Sequence, residues 1–224
     1  TVAVTLVVNG SGSDVEALAR EIARDPVCHS VWIHTNEKWK HSNAVFDVEG
    51  DWKHVHGPRH VADDFGGKGV ELRFPPNVFR QANPEAFSNI VDAVKAEARG
   101  KCLELYGGVG TIGLNVLEGV DSLVCSDSNP NNVPAFEGAL KTLNKRLRKR
   151  ATYVGLDAEG MVEAGWLKKD FDTVIVDPPR KGCGRAVLEA VNASKAGRLV
   201  YVSCGFDAFV RDKQTLEEGG GWVV

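Results

Sequence analysis

The sequence of 224 residues predicts an α/β fold, with a parallel-rich sheet covered by helices across residues 77–224 and a small α+β unit across residues 1–76 before it. Three observations carry that expectation. From residue 101 onward, short apolar runs alternate with amphipathic stretches, the rhythm of a parallel sheet joined by right-handed crossovers. A glycine-rich turn, Tyr-Gly-Gly-Val-Gly-Thr-Ile-Gly from Tyr106 to Gly113, separates the first run from the stretch after it. Five run ends carry polar residues, which is where an open parallel sheet binds its ligands.

The elements follow in order. Residues 2–8 (Val-Ala-Val-Thr-Leu-Val-Val) form a strand and residues 9–12 a turn, and Asp14 caps a helix over 15–24 that puts Leu18, Ile22 and Ala23 on one face. Strands over 28–35 and 44–48 come next, and Gly50 and Asp51 separate the second from Trp52 to Val55. This unit ends near Gly66 and Gly67. Val70 to Phe74 alternates like a strand until Pro75 and Pro76 break it, and the boundary between the units is expected near Pro76. A helix over 85–99 lines up Phe87, Ile90, Val91, Val94 and Ala98. Beyond it, strands are expected over 101–106, 122–126, 152–156, 173–177 and 199–203. Helices are expected to open at Thr111 and to cover 133–148, 158–167, 185–193 and 206–216.

Composition narrows the function classes. No run of about eighteen apolar residues exists and the first residues lack a signal-peptide layout, so neither a membrane span nor secretion is expected. The formal charge of -3 does not announce nucleic acid, yet Lys141, Lys145, Arg146, Arg148, Lys149 and Arg150 fall within ten residues, and such a block either meets phosphates or is a solvated face. Five cysteines show no CxxC pair, which points away from a disulfide framework or zinc site and toward a reducing intracellular compartment, the cytoplasm first. His34, His41, His54 and His56 have no helical HxxxH spacing, so they read as surface or sheet-face residues rather than metal ligands.

The chemistry is expected at the strand ends. Gly108, Gly110 and Gly113 give the spacing GxGxxG, shared by many nucleotide-binding turns. Glu104 in the preceding strand and Asp127 at the end of the next one narrow it, because a carboxylate there can grip two ribose hydroxyls of a nucleoside cofactor, either a dinucleotide or S-adenosylmethionine. In Asp177-Pro178-Pro179-Arg180-Lys181-Gly182, two prolines fix an extended ridge and leave the preceding carboxylate aimed into the site. The run 199–203 delivers Cys204 to the same crevice. A thiolate there can attack an electron-poor carbon, helped by the helix start after it and by Arg180 or Arg211. Cys102 and Cys125, inside strands, read as core, and Cys28 and Cys183 as structural or surface thiols.

Four segments in this order resemble the RNA uracil-5-methyltransferases, which make 5-methyluridine in tRNA or rRNA. They are Phe79-Arg80-Gln81-Ala82-Asn83, the turn Glu104 to Gly110, Asp177 to Gly182, and Tyr201-Val202-Ser203-Cys204-Gly205-Phe206 with Arg211-Asp212. The resemblance implies a Rossmann-like methyltransferase fold and S-adenosylmethionine as methyl donor, with S-adenosylhomocysteine as product. It implies RNA as partner; the expectation of no metal in this chain comes from the cysteine and histidine spacing above. Cys204 is the implied nucleophile, adding at carbon 6 of uracil so that carbon 5 becomes an enolate carbon. Gln81, Tyr106, Thr111, Asp127 and Asp177 are the implied cofactor contacts, with Asp157 toward the adenine end. Phe79 is placed to stack on the flipped base and Arg180 to steady the enolate oxygen.

The sequence also departs from that pattern. The family's proton-removing Glu, in a His-Val-Glu run beyond the cysteine, has no counterpart before Val224, so the catalytic domain is expected to be shortened at its C-terminus. Gly205-Phe206 replaces Asn-Pro, and neither an N-terminal RNA-binding barrel nor a four-cysteine iron–sulfur motif is present. Two alternatives stay open: a methyltransferase of other specificity, for which Cys204 is expendable, and an RNA-binding or RNA-folding module that keeps the cofactor pocket without turnover.

Overall fold

A computed structural model of the chain describes residues 1–8, 13–35, 50–64 and 70–223. The turn expected at 9–12, the strand at 44–48, His41, Gly66 and Gly67 lie outside the described residues, as does the side chain of Asp14. No described helix is long and apolar enough to cross a membrane. The chain divides into two compact units, Thr1–Asp63 with Arg73–Arg80, and Asp64–Leu72 with Gln81–Val224. Pro76 thus falls inside a segment that stays with the first unit.

In the first unit, β1 (Val2–Val8), α1 (Ser13–Ile22), β2 (Cys28–Thr35) and β3 (Asp51–His56) build a sheet of order β1-β2-β3. The β1 and β2 strands run parallel, β2 and β3 antiparallel. The helix already includes Ser13, one residue before the expected cap. Ala19, Val31 and Ile33 form the buried centre, against which Leu6, Val15, Ile22 and Val55 pack. His34 is buried and stacks on Trp52 with ring centroids 4.0 Å apart, and His54 tilts against Trp32 at 4.6 Å, so both are sheet-face residues. Two short strands, β4 (Val61–Asp63) and β5 (Leu72–Phe74), pair with each other.

The second unit opens with α2 (Pro84–Glu97), which starts one residue earlier than expected because Asn83 accepts from the Ala86 amide at 3.0 Å and Pro84 sits in the first turn. Then come β6 (Lys101–Leu105), α3 (Gly113–Val116), β7 (Ser122–Ser126), α4 (Asn132–Thr142), α5 (Lys145–Arg148), β8 (Ala151–Val154), α6 (Ala158–Glu163), β9 (Thr173–Val176), α7 (Arg185–Asn192), β10 (Arg198–Tyr201) and α8 (Phe206–Glu218). All four strand pairings are parallel, in the order β10-β9-β6-β7-β8. This is the Rossmann-like α/β architecture the sequence predicts. From β6 the chain winds outward to β8, then crosses back to β9 and β10, so the switch point lies between β6 and β9. Side chains alternate across the sheet. Leu103, Leu105, Val174 and Val176 face a core completed by Met161, Val187, Leu188 and Leu216.

Three expected helices are revised. The stretch 133–148 is two helices, because Asn144 turns out of the α4 path and accepts from the Leu147 amide at 3.0 Å to start α5. Residues 158–167 break after Glu163 where Gly165 adopts φ 71°, followed by a single 3-10 turn at Trp166–Lys168. The helix after the glycine turn begins at Gly113, so Thr111 does not open it. Thr111 instead lies in the turn, and its carbonyl accepts from the Asn115 amide group at 2.8 Å.

Candidate functional site

The site is built by the loops that leave β6, β7, β9 and β10 at their carboxyl ends. Tyr106, directly after β6, takes φ 60°, a left-handed conformation that an aromatic residue rarely adopts and that commonly marks a functional turn. The chain then doubles back, with the Gly107 amide donating to Ser126 O at 2.9 Å and the Gly110 amide to Gly107 O at 2.8 Å. Gly107 and Gly113 are there for packing. A Cβ on Gly107 would lie 2.4 Å from Cys125 Sγ, and one on Gly113 would lie 2.2 Å from Glu104 Oε2. Gly108 differs: at φ 55° a Cβ there meets nothing within 4 Å, so this glycine leaves room at the rim of the crevice.

The Gly108 peptide is held on both sides. Its amide donates to Asp127 Oδ2 at 3.0 Å, and its carbonyl accepts from the Tyr153 hydroxyl at 2.8 Å. Asp127 Oδ1 accepts from the Asn129 amide at 2.9 Å. A carboxylate has about four lone-pair positions, so Asp127 keeps capacity for two hydroxyls. Tyr153 is a site residue that the sequence does not point to; it lies in the edge strand β8, 45 positions from its partner.

Glu104 turns away from this rim. It is 1% exposed, lies opposite Cys125 across the β6–β7 ladder and accepts from the Gly113 amide at 3.0 Å. Burial pushes its carboxyl up to about 7, against the opposing pull of the Cys125 thiol and the Gly113 amide. It holds the turn from beneath, and the carboxylate that reaches the crevice is that of Asp127.

Across the switch point, Asp177 follows β9, and burial raises its carboxyl to about 6. Pro178 is buried, while Pro179 and Arg180 are exposed. The loop closes with the Gly182 amide on Pro179 O at 2.8 Å and with Gly182 at φ 81°. Asp212, fully buried on α8, anchors the far end of this loop. Its Oδ2 accepts from the Cys183 amide and the Tyr201 hydroxyl, both at 2.7 Å, and its Oδ1 pairs with Arg211, whose Nη2 also donates to Lys181 O at 2.6 Å. Arg211-Asp212 is legible in the sequence only as a matching dipeptide; its role as the clamp on the post-β9 loop is structural.

Cys204 is exposed just beyond β10. Its loop lies against the post-β9 loop: a Cβ on Gly205 would come 2.7 Å from Arg180 O. With strands about 4.8 Å apart, β10 and β6 stand about 10 Å from each other across β9, so the thiol loop and the glycine turn share one mouth. Phe206, the first residue of α8, is 78% exposed. Asp157 follows β8 and caps α6, accepting from the Gly160 amide at 2.7 Å.

Tyr106, Thr111, Asp127, Asp157, Asp177, Arg180 and Cys204 therefore all lie in the second unit, in the turns at or beyond the carboxyl ends of its strands. Gln81 belongs to the same unit and is partly buried. Phe79 belongs to the first unit, where it is 72% exposed beside Arg80, whose guanidinium pairs with Asp63 at 2.6 Å.

The family model described as Conserved hypothetical protein 95 matches residues 66–202. An uncharacterized RNA methyltransferase of Protochlamydia amoebophila is 34% identical over 194 residues, covering 86% of this chain and 48% of that protein. A tRNA (uracil(54)-C(5))-methyltransferase of Pyrococcus horikoshii is 36% identical over 185 residues, covering 82% of this chain and 43% of that one. Among solved structures, the tRNA (uracil-54, C5)-methyltransferase of Pyrococcus abyssi in complex with S-adenosyl-L-homocysteine superposes with a TM-score of 0.74 at 25% identity, over 96% of this chain and 50% of that chain. A putative SAM-dependent methyltransferase of Streptococcus mutans shares the fold with a TM-score of 0.58 at 11% identity. The chain spans about half the length of the curated relatives it matches.

Proposed function

The chain belongs to the family described as Conserved hypothetical protein 95, and we propose that it is the core of an S-adenosylmethionine-dependent RNA methyltransferase, methylating carbon 5 of a uridine in folded tRNA or rRNA. The observation that supports this reading best is the meeting of an exposed thiol, Cys204, with the Asp177 to Arg180 ridge and an open glycine rim at one mouth. The kinship to RNA methyltransferases, and to a relative whose structure holds S-adenosylhomocysteine, supports the cofactor and substrate class.

The crevice suits a nucleoside cofactor on its own terms. The empty space at Gly108 admits ligand atoms close to backbone, and Asp127 offers spare acceptors beside it for a ribose. S-adenosylmethionine supplies a methyl group on a positively charged sulfur. Asp177 offers a carboxylate to the donor's cationic end, and Tyr106, Thr111 and Gln81 complete the contacts, with Asp157 toward the adenine. Cys204 adds through Sγ to carbon 6 of uracil, which makes carbon 5 an electron-rich enolate carbon able to take the donated methyl group, and the thiolate is expelled from carbon 6 once a base has removed the carbon 5 proton. Arg180 faces the developing charge on the uracil oxygen. A free thiol in this role fits a reducing intracellular compartment.

The test is covalent trapping. RNA carrying 5-fluorouridine cannot lose its carbon 5 substituent as a proton, so the Cys204 adduct accumulates as a denaturation-resistant complex, lost in Cys204→Ala. An adduct that survives Cys204→Ala, or methylation that does, ends the reading. RNA binding with no adduct in the parent chain favours the module without turnover.

A further inference from the structure

The densest cationic patch in the sequence sits at the opposite end of the sheet from the crevice. Asp121 precedes β7 and Arg150 precedes β8, so both mark the amino ends of the strands. The Arg150 guanidinium donates to Asp121 O at 2.8 Å and to Leu117 O at 3.0 Å, which spends it on anchoring. Just before it, α5 is started by Asn144 and carries Lys145, Arg146 and Arg148, with Lys141 at the end of α4 and Lys149 following. These five side chains are exposed, and among the described residues none of them enters an ion pair. Residues 141–150 hold no acidic residue, in a chain whose formal charge is -3.

Beside α5 lies a shallow cavity of about 300 Å³ lined by Glu118, Gly119, Val120, Asp121, Arg146 and Arg150. Its two carboxylates, Glu118 and Asp121, make it a poor home for an anion, and Arg146 lines it beside them. The unbalanced charge is therefore on the ridge formed by Lys141, Lys145, Arg148 and Lys149. Four exposed cations within nine residues, with no ion pair among the described residues, repel one another, and a polyanion laid along the ridge relieves that repulsion.

We propose that this ridge is a second contact for the substrate, gripping the phosphodiester backbone of the same folded RNA whose target base enters the crevice. The proposal rests on the RNA reading above. The strands between the two edges are about five residues long, so the ridge and the crevice are separated by about 16 Å or more along the sheet. One extruded nucleotide does not bridge that distance, whereas a helical stem does. The ridge thereby selects folded RNA over short single strands, and it contributes affinity without reading sequence.

The experiment compares the parent chain with Lys145→Glu/Arg148→Glu/Lys149→Glu, and with Lys168→Glu as an exposed cation elsewhere on the same unit. Binding to an unmodified tRNA transcript and to a two-residue oligouridine is followed by fluorescence anisotropy across salt concentration. Losing three phosphate contacts is expected to reduce the salt slope by about 2 to 3 and to weaken tRNA binding more than tenfold at about 0.1 M salt. Oligouridine binding, the Lys168→Glu variant and S-adenosylhomocysteine affinity are expected to stay as in the parent, the last reporting an intact fold. An unchanged salt slope for the tRNA overturns the proposal, as does displacement of the tRNA by polyglutamate as readily as by RNA, which would mark a protein partner. A lost salt slope combined with no 5-fluorouridine adduct in the parent removes the uracil chemistry and leaves the ridge standing. An adduct formed equally well by parent and triple variant at limiting tRNA removes the ridge and leaves the chemistry.

Discussion

Replacing Glu104 by Gln changes charge while keeping shape, and its consequence can be worked from the structure. Oε1 of the amide still accepts from the Gly113 amide, and the new NH2 group faces the Cys125 thiol. In the parent the carboxyl is raised from 4.5 to about 7. A group raised on folding contributes stability that is fully present below its unfolded value and is lost as pH rises through its folded value. At about 1.4 kcal/mol per tenfold change in protonation, roughly 3 kcal/mol is at stake, most of it lost between about pH 5 and pH 8. Urea unfolding of parent and Glu104→Gln at several pH values isolates it, because every other titrating group is common to both. The difference in unfolding free energy is expected to move by about 2 kcal/mol in favour of the variant between pH 5 and pH 8. If the two proteins keep parallel pH profiles, Glu104 is charged and accommodated at neutral pH, and the account of the buried carboxyl beneath the turn is wrong.

Two further outcomes follow from the same loops. Gly182→Ala forces a side chain onto φ 81° with its Cβ 2.4 Å from Asp212 Oδ2, so thermal unfolding is expected to show a loss of at least about 2 kcal/mol, and a neutral result would mean that the Asp212 clamp is not formed. The Asp177 carboxyl, raised to about 6, is charged above that pH and neutral below it. Calorimetric affinity for S-adenosylhomocysteine, which carries a cationic amine, is therefore expected to be level above about pH 7 and to fall toward tenfold per pH unit below about 5.5, whereas a flat profile takes Asp177 out of cofactor contact.

The sheet and its crevice are legible because they follow from local pattern. The run 122–126 predicts β7 to the residue, and the polar ends after β6, β7, β9 and β10 come together as an open parallel sheet requires. Misreadings arise where one side chain decides between continuing and stopping. Asn144 sits on a pattern that suits one long helix, and only its hydrogen bond to the Leu147 amide shows that it begins a new one. Thr111 looks like a cap from its place after glycines, yet the turn runs on to Gly113. Residues that brace the site from a distance leave no local trace. Tyr153 meets Gly108 across 45 positions, and Asp212 meets Cys183 across 29. Glu104 illustrates the reverse, a carboxylate whose address suggests a ligand but whose neighbour across the ladder is Cys125.

The contact between Gly205 and the Arg180 carbonyl bears on how this lineage can drift. With 2.7 Å available where a Cβ would stand, residue 205 cannot enlarge unless the proline ridge first retreats by several tenths of an ångström. A relative with a larger residue at this position must therefore hold its cysteine and its ridge farther apart. Substitutions on the two segments should accordingly be inherited in pairs, and a swap of either segment alone between relatives should misplace the thiol.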